Sequence, residues 1–427
     1  MSTSPRQTLT HLRQLFQQQG LTPRHALGQN FLIDLNLHDY VTRQAQLTQH
    51  DVVLEVGTGT GGLTSRLLTQ AGHVVSVEYD RQLAEQARRQ LGEHPRLTLL
   101  EGDALASKHR FSAAVCQAVA AAIARVKQDV EGLEAELPPR EIASPHDDLP
   151  WELAPRPVTL KLVANLPYHI ATPVISNMVA SDWPWSRMVV TVQWELAERM
   201  QAAAGTGPYG ALSIWLQAQT RIKILRRLPP QVFWPAPKVD SAIVLIERDH
   251  QAQRRLTSPE LFHALIRYAF TQRRKRALKL LAQADVKEHG GEVALPADPA
   301  TTRPTPTLSE WQHWFAQLGL SESVRPEQIT VDQWVMLAEH WADWLASQQR
   351  RVHQHHSARH DLQHHLLSQT QGTENRPSAS VNQSPAVSSA FTLKTADQTT
   401  TDVGPPCPLP ITKHQHPQED QEPCRNA

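Results

Sequence analysis

Asp51-Val52-Val53-Leu54-Glu55-Val56-Gly57-Thr58-Gly59-Thr60-Gly61-Gly62 decides the fold. A β-rich apolar run passes straight into a glycine turn, and a helical pattern follows from Leu63 to Gln70. Glycines at such a turn let the main chain approach a cofactor at a helix N-terminus. The next strand pattern, His73-Val74-Val75-Ser76-Val77, ends at Glu78, about 20 residues past the first glycine, where an acid can hydrogen-bond ribose hydroxyls. A third run, Leu97-Thr98-Leu99-Leu100, ends in Glu101-Gly102-Asp103-Ala104 and sets a further carboxylate at a strand end, placed to accept from the amino group of an adenine ring. Gly57, Gly59 and Gly62 also satisfy the dinucleotide fingerprint. Up to Leu105, a nicotinamide-dependent oxidoreductase therefore competes, but no hydride-transfer constellation follows it.

Further on, Val158-Thr159-Leu160-Lys161-Leu162-Val163-Ala164 reads as a buried strand that delivers Asn165-Leu166-Pro167-Tyr168. Loops at the carboxyl ends of strands are where α/β sheets bind ligands. Asn and Pro are ordinary turn residues, so a plain strand-ending turn is the bland reading of this loop. Its chemistry suits an extruded adenine. The adenine amine is a poor nucleophile, because its lone pair is delocalised into the ring. Acceptors that grip both of its hydrogens push the nitrogen towards tetrahedral geometry and stabilise the positive charge that develops during attack. The Asn165 side-chain oxygen and the carbonyl of Leu166 or Pro167 are candidate acceptors. Pro167 fixes its own φ and helps aim the carbonyl before it. Tyr168 is placed to stack on the base. Together with one carboxylate per strand end, this loop favours S-adenosylmethionine as cofactor and methyl transfer to an amine as the reaction.

At this point the chain resembles the ribosomal RNA adenine N6-dimethyltransferases, most closely the small-subunit type. The resemblance spans roughly Thr22 to Trp344 and rests on segments in the expected order: Leu27-Gly28-Gln29-Asn30-Phe31-Leu32, Glu55-Val56-Gly57-Thr58-Gly59, Val77-Glu78, Gly102-Asp103-Ala104 and Asn165-Leu166-Pro167-Tyr168. Later come Gln193-Trp194-Glu195-Leu196-Ala197-Glu198-Arg199, Tyr209-Gly210-Ala211-Leu212-Ser213, Pro235-Ala236-Pro237-Lys238-Val239-Asp240-Ser241 and Phe270-Thr271-Gln272-Arg273-Arg274-Lys275.

The resemblance implies an α/β, Rossmann-like S-adenosylmethionine-dependent methyltransferase sheet with a small C-terminal helical domain. It implies N6,N6-dimethylation of two adjacent adenosines in the 3′-terminal hairpin of 16S rRNA, on the small ribosomal subunit or its precursor, by a monomer that needs no metal. Asn30 and Leu32 would contact the cofactor, Gly57 would lie under its amino-acid moiety, Glu78 would hold the ribose and Asp103 the adenine amine. Asn165 would bridge cofactor and target base, and Phe233 would sandwich the target adenine with Tyr168. The chain departs from the family pattern at Thr58, where proline is usual, at His169, and at Trp194, where lysine is usual. Two alternatives are a large-subunit rRNA dimethylase of the macrolide-resistance type and a ribosome-assembly RNA-binding factor without turnover.

Roughly 60 residues separate Asp103 from Asn165, far more than a short αβ loop, and this marks an insertion over 108–157. Its first half has apolar residues at 115, 119, 123, 126, 130, 133 and 137, the spacing of an amphipathic helix ending before Pro138-Pro139 and packed on the domain surface. The second half reads as a flexible loop. The expected organisation is an N-terminal extension (1–21), a catalytic domain (22–248) whose last strand, Ser241–Ile246, forms an antiparallel sheet edge, a helical RNA-positioning domain (249–347) and a disordered tail (348–427). In the helical domain, helices are expected over 258–283, near 308–318 and over 331–347. The tail is rich in Gln, His, Ser, Thr and Pro and too poor in large apolar residues to offset ordering entropy. Its histidines 353–365 read as a solvated polar tract rather than a metal site.

With 42 basic and 42 acidic residues, net charge gives no hint of nucleic acid. Local clustering does, with Arg221, Lys223, Arg226 and Arg227 in one segment and Arg273, Arg274, Lys275, Arg276 and Lys279 in another. Three scattered cysteines form neither a disulfide framework nor a zinc site. Residues 1–20 lack a signal-peptide core and no apolar run approaches the roughly 18 residues needed to span a bilayer, so a cytoplasmic location is expected.

Overall fold

The computed structural model describes residues 9–24, 27–135, 157–283 and 305–371, with the side chains of 133–135 and 352–371 excepted. Its centre is a seven-stranded sheet. The strands are β1 (Asp51–Val56), β2 (His73–Glu78), β3 (Leu97–Glu101), β4 (Thr159–Asn165), β5 (Trp185–Gln193), β6 (Thr220–Leu228) and β7 (Ser241–Arg248). Their order across the sheet is β3-β2-β1-β4-β5-β7-β6. β1 to β5 pair in parallel, and β7 runs antiparallel to both β5 and β6. The chain builds outward from β1 to β3, then returns to add β4 on the other side of β1. That reversal opens a crevice at the carboxyl ends of β1 and β4.

Thirteen helices accompany the sheet among the described residues: α1 (Leu9–Gln18), α2 (Leu35–Ala45), α3 (Gly62–Leu67), α4 (Arg81–Leu91), α5 (Ala113–Ala135), α6 (Tyr168–Ala180), α7 (Trp194–Gln201), α8 (Ala211–Gln217), α9 (His250–Gln253), α10 (Pro259–Thr271), α11 (Ala277–Ala282), α12 (Leu308–Gln317) and α13 (Val331–Gln371). Every residue of β1 and β2 is buried, which is why both strands read as continuous apolar runs. Strand alternation divides them between two cores. Val53, Val74 and Val163 pack with Leu37 and Val41 of α2 and Leu67 of α3. Val52, Leu54 and Leu162 pack on the opposite face with α5, α6 and the C-terminal helices.

Four expectations change. First, β7 is antiparallel as expected but is not the edge, because β6 lies outside it. Ser241 to Val244 are all buried, whereas β6 alternates exposed Arg221 and Lys223 with half-buried Ile222 and Ile224, the pattern of a charged edge strand. Second, the first half of the expected insertion is a structural layer. Parallel β3 and β4 need a crossover, and α5 supplies it with Val115, Val119, Ala122 and Val126 buried against the sheet. The second half of the insertion, 136–156, lies outside the described residues.

Third, the described residues of the expected 249–347 domain do not form a core of their own. Phe262, Leu265, Trp311 and Trp334 belong to the same apolar cluster as Trp215 of α8 and the sheet, and the described residues as far as 359 fall in one compact unit. Polar contacts reinforce the join: the buried Tyr209 hydroxyl donates to the Ile329 carbonyl at 2.8 Å, and the Gly205 N–H to Glu327 O at 2.7 Å. The helix expected over 258–283 is two, α10 and α11, separated by exposed Gln272–Arg276. Fourth, α13 continues to Gln371, so the backbone of 348–371 is helical where disorder is expected. That stretch holds Arg, Gln, Leu and Ala, all good helix formers, and no proline, whereas 372–427 contain eight prolines. Residues 372–427 lie outside the described ones. The 1–21 extension also carries structure, for α1 buries Leu12 and Phe16.

Candidate active site

A cavity of about 310 Å³ opens where the chain reverses, lined by the glycine turn after β1, the ends of β2 and β3, the loop after β4 and residues 27–31. The two motifs singled out in the sequence touch here. Gly57 has φ +89°, its N–H donates to Val77 O at 2.8 Å, and a Cβ on it would come 3.3 Å from Pro167 Cδ. Gly59, at φ +56°, lies under the Phe31 ring, 3.1 Å from where a Cβ would be. Both positions combine a positive φ with a close neighbour, which favours glycine, so the turn presents bare main chain to the cavity.

Thr58 fills the place of the usual proline by bonding downward. The Ser76 hydroxyl donates to Glu55 Oε2 at 2.6 Å, which leaves Ser76 Oγ to accept from Thr58 Oγ1 at 2.6 Å. Thr64 Oγ1 donates to the same Glu55 oxygen at 2.6 Å. Burial is the main influence on Glu55 and pushes its carboxyl up to about 7, with the two hydroxyls pulling it down. A chain of hydroxyls thus pins the turn to β1 and β2.

The two carboxylates expected at strand ends both line the cavity. Glu78 accepts the Gly59 N–H on Oε2 at 2.8 Å and the Asp80 N–H on Oε1 at 2.9 Å, so its orientation is fixed. Burial holds its pKa above the ordinary carboxylate value, against the lowering pull of those two N–H groups. Asp103 accepts the Leu105 N–H on Oδ1 at 2.9 Å. Glu78 at the end of β2, Asp103 after β3 and bare main chain at Gly57 form a donor-and-acceptor set that fits an adenosine carrying an amino-acid moiety. These residues, with Asn30, are the ones that would hold S-adenosylmethionine. Among the described residues, no group of His, Cys, Asp or Glu has the makings of a metal site.

Asn165, Leu166, Pro167 and Tyr168 line the same cavity. Asn165 Nδ2 donates to the Asn30 carbonyl at 2.8 Å, which commits the amino end of the side chain and leaves Oδ1 as its acceptor. The Pro167 carbonyl accepts the Ile170 N–H at 3.1 Å in the first turn of α6, so Leu166 O is the better of the two main-chain acceptors. The Tyr168 hydroxyl lies 2.7 Å from Ser241 Oγ, and burial raises its pKa. That bond gives a purpose to the serine of Pro235–Ser241.

Leu32 and Phe233 are not brought to the cavity. They face each other across a two-residue antiparallel ladder, Phe31↔Trp234 and Leu32↔Phe233. Phe233 is 2 % exposed and joins the apolar core with Leu37 and Val41. Alternation across the ladder explains the difference, since it sends Leu32 and Phe233 inward and Phe31 and Trp234 to the other side. Phe31 is the cavity residue of this ladder, and Trp234 packs on Phe16 at a ring-centroid distance of 5.0 Å. Sequence reasoning also passed over Gln29, which lines the cavity and donates through Nε2 to Asp80 Oδ2 at 2.9 Å, and Tyr79, a lining residue that is 61 % exposed. Gln29 lies within the quoted Leu27–Leu32 segment, whereas nothing local marked Tyr79.

Of the basic clusters, Arg221 pairs with Asp249, Arg227 with Asp240 and Arg273 with Glu327. Arg274, Lys275, Arg276 and Lys279 are exposed.

The chain is similar to known proteins over most of its length. The sequence pattern of the family described as "Ribosomal RNA adenine dimethylase" matches residues 20–289. "Ribosomal RNA small subunit methyltransferase A" of Pelotomaculum thermopropionicum is 30% identical over 332 residues, covering 78% of this chain and 96% of that protein. The protein of the same name from Alkaliphilus oremlandii is 29% identical over 344 residues, covering 80% of this chain and 99% of that one. A crystal structure of a dimethyladenosine transferase from Plasmodium falciparum aligns over 71% of this chain and 94% of its own, with 20% identity and a TM-score of 0.49. By the extent of the family match and the 30% identity to the Pelotomaculum thermopropionicum protein over 78% of this chain, the chain belongs to the ribosomal RNA adenine dimethylase family.

Proposed function

We propose that this chain, an S-adenosylmethionine-dependent rRNA adenine dimethyltransferase, modifies two adjacent adenosines in the 3′-terminal hairpin of 16S rRNA, within the small ribosomal subunit or its precursor, and that it works as a monomer in the cytoplasm. The observation that carries the reading is the committed orientation of Asn165, whose amide N–H is taken by Asn30 so that its oxygen faces outward as an acceptor. When bound, S-adenosylmethionine supplies an electrophilic methyl group on a sulfonium.

The chain's own residues prepare the amine. Asn165 Oδ1 and the Leu166 carbonyl accept the two hydrogens of N6 and stabilise the charge that grows on nitrogen as it loses conjugation with the ring. Neither acceptor is a strong base, so the excess proton leaves to water after transfer. Tyr168, anchored through Ser241, offers its ring face to the extruded base. Dimethylation requires that the pocket accept adenine and then N6-methyladenine, so room beside the amine matters more than a base. The large-subunit alternative shares this loop. A clamp without turnover would have no use for an amide oriented in this way.

The test is tritiated methyl incorporation into small and large ribosomal subunits, each taken from cells lacking the enzyme, followed by mapping of the modified adenosines. Label confined to two adjacent adenosines of the small subunit is expected. Label in the large subunit would assign the other target, and no label in either would favour the clamp.

A further inference from the structure

The first basic cluster is divided by the strand that carries it. β6 runs parallel to β4 and β5, because two antiparallel steps through β7 separate it from β5. Arg221 sits near its start, level with Glu247. Arg227 sits at its end beside Leu228, which is level with Ser241 and, through Ser241, with Gln193. Six strand residues put roughly 20 Å between the two arginines. Of the two acid-paired arginines of this strand, only Arg227 is therefore at the end of the sheet that holds Asn165 and Tyr168. The link to the active site is short: Tyr168 bonds Ser241, and Arg227 Nε donates at 2.7 Å to Asp240, the residue before Ser241.

Arg227 is also held unusually firmly for a surface side chain. Asp240 Oδ2 receives its Nη2 at 2.6 Å as well, and the guanidinium carbon lies 4.5 Å from the centre of the Trp194 ring. The main-chain N–H of Trp194 in turn donates to the Asp240 carbonyl at 2.9 Å. Yet the side chain remains 58% exposed. A guanidinium whose charge is matched by a carboxylate is a weak phosphate receptor. Fixed against an indole with its outer face open, it is a preorganised flat surface. When a nucleotide is extruded from RNA, its neighbour loses a stacking partner, and arginine planes and aromatic rings receive such bases.

We propose that Arg227, backed by Trp194 and held by Asp240, is the stacking platform for the unpaired base that adjoins the adenosine bound at Tyr168. The proposal rests on the RNA-methylation reading above and adds to it a second, base-sized subsite on the rim.

The test uses full-length wild type, Arg227→Ala, Arg227→Lys, Asp240→Asn and Arg221→Ala. Substrates are a hairpin RNA with two adjacent unpaired adenosines and the same RNA made abasic at the neighbour of the remaining target. Arg227→Ala is expected to raise KM for the intact RNA roughly ten-fold, with kcat and S-adenosylmethionine affinity unchanged, the latter also reporting a folded protein. Arg227→Lys should be as poor as alanine, since it keeps the charge and loses the plane. Asp240→Asn should also raise KM, although it frees the charge. Arg221→Ala should match wild type, and the abasic RNA should bring wild type and Arg227→Ala together. An unchanged KM in Arg227→Ala, recovery by lysine, tighter binding in Asp240→Asn, or the same Arg227→Ala penalty on the abasic RNA would overturn the platform. Wild type that methylates neither RNA would remove the underlying reading, and the platform with it.

Discussion

Asn165 Nδ2 donates a 2.8 Å hydrogen bond to the main-chain carbonyl of Asn30, joining the end of β4 to the segment that precedes α2. One contact thereby does two things. It closes the side of the cavity formed by residues 27–31, and it commits the amide N–H end to Asn30, which on the proposed reading turns the oxygen to the substrate. On the proposed reading residue 165 is a donor towards Asn30 and an acceptor towards the amine, and the Asn amide holds the two functions on separate atoms.

Asn165→Asp separates these two duties. The carboxylate keeps the shape and the acceptor but has no N–H for Asn30, and it would set two oxygens against each other. Single-turnover methylation is expected to fall roughly 10²-fold or more, the usual scale for losing one preorganised polar group. Asn165→Ala should lose at least as much. An aspartate variant as fast as wild type would show that acceptance alone matters and that the bond to Asn30 does not.

At Tyr168 the hydroxyl and the ring are expected to contribute to different measurements. Tyr168→Phe removes the bond to Ser241 and leaves a buried hydroxyl there, at a cost of about 1 kcal/mol in denaturant unfolding. Its ring face remains, so methylation should persist within a few-fold. Tyr168→Ala should abolish methylation while S-adenosylmethionine still binds. Equal activities in Phe and Ala variants would remove stacking from the mechanism.

Glu55 gives a pH dependence with a definite sign. Its folded pKa, about 7, lies above the ordinary value of 4.5, so between those values the folded chain holds a proton that the unfolded chain has released. Stability from this group is complete below pH 4.5, declines as pH rises through the window and is level above 7, a change of about 3 kcal/mol in all. Glu78 is pushed in the same direction, and the buried His38 and His73, held near 4, act in the opposite sense. The quantity to measure is therefore the difference between wild type and Glu55→Gln in unfolding free energy across pH 4 to 9. That difference should shift towards the Gln variant as pH rises and flatten above 7. A difference independent of pH would mean that Glu55 is ionised throughout.

Much of the site was legible in the sequence because strand ends and glycine turns are local. The run Asp51–Val56 had to be a buried strand, and Gly57, Glu78, Asp103 and Asn165 follow from where apolar runs stop. Phe233 was not legible in this way, because which residue of a two-residue ladder faces inward is set by its partner strand. There Leu32 fixes the phase. The α5 segment showed its helical period plainly, yet its spacing made it look like an addition, and only the parallel pairing of β1 with β4 makes a crossover necessary. The apolar packing across the expected boundary near 249 was hidden for a related reason. Composition changes there, but Trp215 stacks on Phe262 at 6.2 Å across it, and no local pattern records a contact between residues so far apart in sequence.

Lys161 sits within the apolar run of β4, and its structural role is now clear. Its Nζ donates to Asp51 Oδ2 at 2.9 Å and to the Gln46 carbonyl at 2.7 Å, while Thr159 Oγ1 donates to Asp51 Oδ1 at 2.7 Å. Side-chain exposure is 10% for Lys161 and 6% for Asp51, so solvent screens the pair little. Lys161→Met fills the space but strands a buried carboxylate and a carbonyl, and should cost about 3–5 kcal/mol in unfolding free energy. The network lies at the amino ends of β1 and β4, roughly 17 Å of strand from the cavity at their carboxyl ends. S-adenosylmethionine affinity of the folded variant, measured by calorimetry below its melting range, should therefore equal that of wild type. A stability loss accompanied by weakened cofactor binding would show instead that the two ends of β1 and β4 are coupled, and that the crevice depends on the whole length of those strands.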